Sequence, residues 1–139
     1  MSGRIGSESK DLRYAKDSGE AGASRTRLLN RSEVLIIQKE TALQNKIIVA
    51  LCQNGCVARN HTVGQFYTKY GGLVNVGQHG ESDIFGHRIS DGKALYIEVK
   101  LPGEKPRRDQ QEFLDAMRST GALAGCAHSV EEALEIIRR

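Results

Sequence analysis

Two residues near the middle of the chain, Asp91-Gly92, limit how it folds more than any others do. They separate two runs of apolar and β-branched residues, and both central positions of a two-residue hairpin turn favour a positive φ that Asp-Gly accommodates. A hairpin centred there places Asp83 opposite Lys100 and Phe85 opposite Glu98, with Asp83 and Glu98 as diagonal neighbours. Side chains alternate along a strand, so Tyr96, Glu98 and Lys100 share one face while Leu95, Ile97 and Val99 share the other. Two carboxylates held close together repel unless a cation or a proton lies between them, and an oxygen-rich site of this kind suits Mg²⁺ or Mn²⁺. The ordinary alternative is a solvated sheet face carrying a surface ion pair.

The bulk properties bound what surrounds this stretch. A chain of 139 residues is long enough for one core and too short for two. No apolar run approaches membrane-spanning length, and the N-terminus lacks the profile of a signal peptide, so a cytoplasmic protein without a membrane role is expected. The three cysteines, Cys52, Cys56 and Cys126, lack paired spacing and are expected to be small buried apolar residues. Net charge is +3, and the excess lies in residues 1–31, which hold seven Lys/Arg against four Asp/Glu. That segment, rich in Ser and Gly and without apolar periodicity, is expected to be a disordered basic tail that acts as a tether or touches nucleic acid. Residues 32–139 form the expected domain. Its charge balances, which argues against a large nonspecific nucleic-acid surface.

Along that domain, Ile36, Leu43, Ile47, Ala50 and Leu51 fit one helical stripe over residues 32–54, with Gly55 as a stop. Glu40 falls on the same stripe. Either the helix begins later and Glu40 is a first-turn acid favoured by the helix dipole, or it points into a polar pocket. Strands are expected over residues 56–61 and 73–76, the second preceded by a Gly71-Gly72 turn. Between them Phe66, Tyr67, Lys69 and Tyr70 serve packing or a nucleic-acid groove. His79 and His87 flank the central stretch and are not assigned to a metal. Beyond the Glu98 strand, Lys105, Arg107 and Arg108 sit where they can neutralise phosphate oxygens, unless the loop is a solvated turn. A helix over residues 108–119 carries Gln110, Phe113, Leu114 and Met117 on one face. A small-residue strand over residues 122–128 follows, and Ser129-Val130-Glu131-Glu132 reads as a capping box for a last helix through Ile137. The order predicts an α/β fold with helices flanking a mixed sheet.

Taken together, Glu40 on a helix, Asp83 entering a strand, Glu98-Val99-Lys100 on the next strand and Gln110 on the following helix resemble the PD-(D/E)xK superfamily. Arg59-Asn60 with Gly64, Gly80 to Gly86, Ile97 to Lys100, and Asp109 to Leu114 resemble more specifically the small stand-alone VRR-NUC nucleases of phages and bacteria. Ser82 stands where that family has a proline before the aspartate, and Ala127-His128-Ser129 stands at its late arginine-containing segment. The resemblance spans about residues 38–137 and implies a restriction-endonuclease-like core. It implies that Asp83, Glu98, the carbonyl of Val99 and Glu40 hold Mg²⁺ or Mn²⁺, that Lys100 orients or helps deprotonate a water, and that Gln110 positions one of them. Arg59, Asn60, Lys105, Arg107 and Arg108 are the candidate DNA contacts. It also implies a metal-dependent endonuclease acting on junction or other branched DNA as a homodimer. A module that keeps the fold and binds DNA without cutting it, and an interaction domain with a structural ion-pair cluster, are the competing readings.

Overall fold

The computed structural model describes residues 28–139, so most of the expected basic tail lies outside the described residues. Helix α1 (Arg31–Gln53) starts at a full capping box: the Asn30 side chain accepts from Glu33 N–H, and the Glu33 carboxylate accepts from Asn30 N–H, each at 2.9 Å. This start places Glu40 in the helix interior and removes its reading as a first-turn acid. Ile47 and Leu51 of the expected stripe are fully buried, whereas Ile36 is 47% exposed, because the first turns of α1 run past the sheet they pack on.

The main sheet has the order β1 (Cys56–Asn60), β4 (Ile84–Arg88), β5 (Ala94–Val99), β6 (Leu123–Ala127). The first two pairings are antiparallel and the last is parallel, which makes the sheet mixed. Parallel pairing needs a crossover, and helix α2 (Arg108–Ser119) supplies it between β5 and β6. Helix α3 (Val130–Ile137) closes the chain. Ile47 and Leu51 from α1 and Ala133, Ile136 and Ile137 from α3 form one core with Ile84, Leu95, Ile97 and Val99. Each such aliphatic side chain contributes about 1.5–3 kcal/mol on burial. Helix α2 lies on the opposite face, where Phe113 meets Phe85 and Tyr96 at ring centroid distances of 6.4 and 5.6 Å. The sheet is therefore covered by helices on both faces, as expected, with the carboxylates on the α2 side.

The register of the central hairpin differs from the expected one. Phe85 pairs with Tyr96 and Ile84 with Ile97, so Glu98 does not face Phe85 and Lys100 does not face Asp83. The turn is longer than two residues. Arg88 N–H bonds Lys93 O at 2.9 Å, and Gly92 N–H reaches back to Arg88 O at 2.8 Å with Gly92 at φ 70°. Arg88 also grips the Asp91 carboxylate, and that hydrogen bond holds the Asp91 pKa down at about 2. The slip is by two residues and not one, so every side chain keeps its face.

Three further expectations are corrected. A strand β2 (Gly64–Tyr67) pairs with β3 (Leu73–Val76) in a separate two-stranded sheet; four residues were too few to show a period. Cys52 is exposed, whereas Cys56 is buried and Cys126 half-buried. Ser129 does cap α3, accepting from Glu132 N–H at 3.2 Å, but Glu132 turns its carboxylate to His128 N–H at 2.7 Å, so the reciprocal half of the box is absent.

Gly86 allows β1 and β4 to approach. A Cβ at that position would lie 1.9 Å from the Val57 carbonyl oxygen, a backbone atom with nowhere to move. Gly86→Ala is expected to lower stability by about 3 kcal/mol or more, read as a drop in the urea midpoint at unchanged m-value.

Candidate functional site

The site is built on β5. Alternation places Glu98 between Tyr96 and Lys100 on the face beneath α2, where only 1% of Glu98 is exposed. A carboxylate so buried requires donors. Its Oε1 accepts from Lys100 Nζ at 2.6 Å and from Gln110 Nε2 at 2.5 Å. Gln110 is itself 3% exposed, and its own Oε1 accepts from Arg107 N–H at 2.9 Å. One amide therefore satisfies the first turn of α2 and holds the buried acid.

Asp83 enters the same site from the start of β4. Its Oδ2 accepts from Val99 N–H at 2.9 Å, while its carbonyl accepts from His61 N–H at 2.7 Å. The two-residue slip of the hairpin brings this about, because it moves Asp83 level with Glu98 and away from Lys100. Ser82, buried to 1% exposure, donates from its hydroxyl to Ile84 O at 3.3 Å. Gly80 packs against the first turn of α2, where a Cβ would lie 3.1 Å from Asp109 O.

Lys100 reports how the acids sit around it. Burial pulls its pKa down, but the hydrogen bond it donates to Glu98 and the Coulombic pull of Glu98, Asp83 and Glu40 outweigh that, and the net shift is upward. Glu40, half-buried in the middle of α1, thus acts on the same ammonium as the two strand carboxylates. Cys126 is paired across the sheet with Glu98, and burial first, then the Glu98 charge, pushes its thiol up to about 11. It stays protonated and is no nucleophile. Among the described residues, no three His, Cys, Asp or Glu side chains are already grouped to hold a metal ion. The Asp83 and Glu98 carboxylates are the oxygen donors that the two central strands bring level.

The candidate DNA contacts are dispersed. Arg107 is held by Asp109 through two bonds of 3.2 and 3.3 Å, and His79 Nδ1 meets the same carboxylate at 3.0 Å. Arg107 first and His79 second hold the Asp109 pKa far below the usual carboxylate range. Arg108 pairs with Glu112 on the outside of α2, Lys105 is exposed in the preceding loop, and Arg59 and Asn60 are exposed on β1. That His79 contact was not foreseen, and neither were two others. His61 bonds Glu81 at 2.7 Å and stacks on Phe85 at 4.0 Å. His128 places Nε2 2.8 Å from Glu104 O and Nδ1 2.9 Å from Glu132 Oε2. Both partners are acceptors, so the imidazolium form, in which both ring nitrogens donate, is the one that satisfies both contacts. The His61–Glu81 and His128–Glu104 contacts span separate elements and have no spacing in the sequence to signal them, whereas His128 and Glu132 are only four residues apart.

Comparison with solved structures decides the fold. A structure described as "VRR_NUC domain" matches with a TM-score of 0.52 and 20% identity, covering 73% of this chain and 96% of that one. The fold is that of a VRR-NUC domain. No family profile matches the chain, and no curated protein is similar to it. On this VRR-NUC fold, Asp83, Glu98, Lys100 and Gln110 meet at one end of the two central strands, and the charge of Glu40 on α1 acts on Lys100.

Removing the cation from the buried pair tests the energetics. Lys100→Met is expected to lower stability by about 3 kcal/mol, with most of it restored in the Glu98→Gln/Lys100→Met double variant; a double-mutant cycle in urea measures both. The His128 contacts set a pH dependence. Its pKa is raised above the ordinary 6.5 by the Glu104 carbonyl first and then by Glu132. The stability it adds is therefore fully present below about 6.5 and lost as pH rises through the folded-state value. The stability gap between wild type and His128→Ala is expected to be larger at pH 6 than at pH 9, measured by urea unfolding at each pH.

Proposed function

We propose that this protein is a metal-dependent endonuclease that hydrolyses phosphodiester bonds in DNA, selects branched structures such as four-way junctions, and works as a homodimer. The observation that carries the reading is the Asp83, Glu98, Lys100 and Gln110 cluster at the end of β4 and β5 in a VRR-NUC fold. A buried acid held with a lysine beside a second, half-buried acid on one sheet face has no evident use in a structural core, where apolar residues of the same size pack at lower energy.

The donor set fits a hard divalent cation. Mg²⁺ is bound through one or two carboxylates, keeping waters and taking substrate phosphates as further ligands, so it does not need a preformed cage of side chains. Asp83 and Glu98 would hold the ion, with the Val99 carbonyl beside them and Glu40 directly or through water. When bound, the metal supplies a nucleophilic water at neutral pH and charge stabilisation at the phosphate. The chain's own residues do the rest. Val99 N–H fixes the Asp83 carboxylate, and Gln110 fixes Glu98, so both acids are preorganised. Lys100 stays cationic and offsets charge on the phosphate while orienting the attacking water. Lys105, Arg108 and Arg59 offer charge to the DNA backbone, which makes affinity fall with salt. A homodimer provides the two symmetric cuts a four-way junction requires.

Labelled junction, flap, nicked and linear DNA, each incubated with the protein and Mn²⁺ or Mg²⁺, test this. Cleavage is expected to be strongest on branched substrates, to stop with a chelator, and to fall by more than about a hundredfold in Asp83→Asn. That variant is expected to stay folded and to lose Mn²⁺ binding by calorimetry. Intact DNA binding without cleavage of any substrate would identify an inactive binding module instead.

A further inference from the structure

Helix α2 covers β5 and β6, and the rest of that sheet face carries a groove. It encloses about 390 Å³ and is lined by Val57, Arg59, Phe85, Gly86, His87 and Tyr96. We propose that this groove takes an unpaired nucleobase of the DNA strand being cut; the assignment to DNA rests on the nuclease reading above.

Three observations favour that occupant. The walls are aromatic and already rigid. Phe85 lies flat against His61 at 4.0 Å and meets Tyr96 edge-on at 5.1 Å, while Tyr96 meets Phe113 edge-on at 5.6 Å. The rim is basic. Arg59 and His87 are exposed and the lining contains no acid, which suits a base still attached to its phosphates and disfavours a cationic or apolar ligand. The groove also lies close to the site, since Tyr96 in its lining and Glu98 are alternate residues on one strand face. Alternate residues lie about 7 Å apart, so a base here belongs to a nucleotide within one or two steps of a phosphate at Glu98.

A base in a duplex has both faces stacked on its neighbours and presents only edges to a protein. A groove walled by rings accepts a base only when it has left the stack, as at a gap, flap or branch. This gives a physical route to structure selection: continuous duplex cannot fill the groove without unstacking a paired base, whereas a branch point offers one already free.

The test is binding to oligonucleotides carrying 2-aminopurine, read by fluorescence without divalent metal, so that the signal stands whether or not the protein cleaves anything. A gapped duplex with the probe in the gap is compared with the same sequence fully paired. The wild type is expected to bind the gapped form more tightly and to change the probe's emission. Val57→Trp, which fills the groove, and Arg59→Ala, at its exposed rim, are each expected to reduce the gapped-to-paired affinity ratio by about tenfold. Circular dichroism checks that both variants fold, and either one alone suffices. Equal affinity for gapped and paired DNA in the wild type, or an unchanged ratio in a folded variant, overturns the proposal. A dimer by light scattering that Val57→Trp dissociates gives the groove to a second copy and overturns it as well. Cleavage of branched DNA with no gapped preference removes this proposal and leaves the nuclease reading; a gapped preference with no cleavage does the reverse.

Discussion

Everything near the centre of this structure depends on a single buried carboxylate. Glu98 sits beneath α2 with 1% of its surface exposed, and an ionised acid there is tolerable because donors meet it, Lys100 and Gln110 among them. One of those donors, Gln110, is fixed in turn by Arg107 N–H at the first turn of α2. The position of α2, the rotamer of Glu98 and the placement of Lys100 are therefore one problem with one solution. Pairs of this kind add little net stability compared with apolar residues of the same volume, and they are costly to break singly. They make the local geometry unique.

The sheet divides the labour between its faces. On the side of α1 and α3, side chains from four strands form a dry core, and Gly125 has no side chain because Ile136 fills the space, 2.8 Å from where a Cβ would be. On the other side, α2 covers only part of the surface. Beneath it lie Glu98 and Tyr96, and beside it the aromatic and basic groove. The dry face fixes the strands to within the tolerance that the polar face requires, because a register shift by one residue would place Glu98 in the apolar core.

The parts legible in the sequence were those set by local periodicity. The stripes of α1 and α2, the alternation of β5 and the capping serine of α3 gave element limits within about two residues of those observed. The hairpin register was not legible. Asp91-Gly92 has the chemistry of a two-residue turn, but Arg88 captures Asp91 and Gly92 N–H returns to Arg88 O, which stabilises a longer loop. Strand β2 and the contacts of His61, His79 and His128 were hidden for a different reason. Strand β2 is defined by β3 across the Gly71-Gly72 turn, and each histidine contact by a partner 20 or more residues away, which for His128 is the Glu104 carbonyl; no periodicity of the chain encodes such partners. Gln110 could be picked out as a polar residue on an apolar stripe, yet its actual partner, Glu98, follows only from where α2 lands.

Two residues of slippage in the hairpin mattered more than any element boundary. With the expected register, Lys100 would face Asp83, and each acid would be matched to a base or an aromatic ring. The observed register sets Asp83 level with Glu98 and gives Lys100 to Glu98, at 2.6 Å, while the charges of Asp83 and Glu40 still act on the same ammonium. The charges of all three acids act on that one lysine. Two carboxylates held level on one sheet face repel unless a cation or a proton lies between them. On the proposed reading a divalent cation supplies that charge, and the even parity of the slip allowed Asp83 and Glu98 to come level without either leaving the face they share.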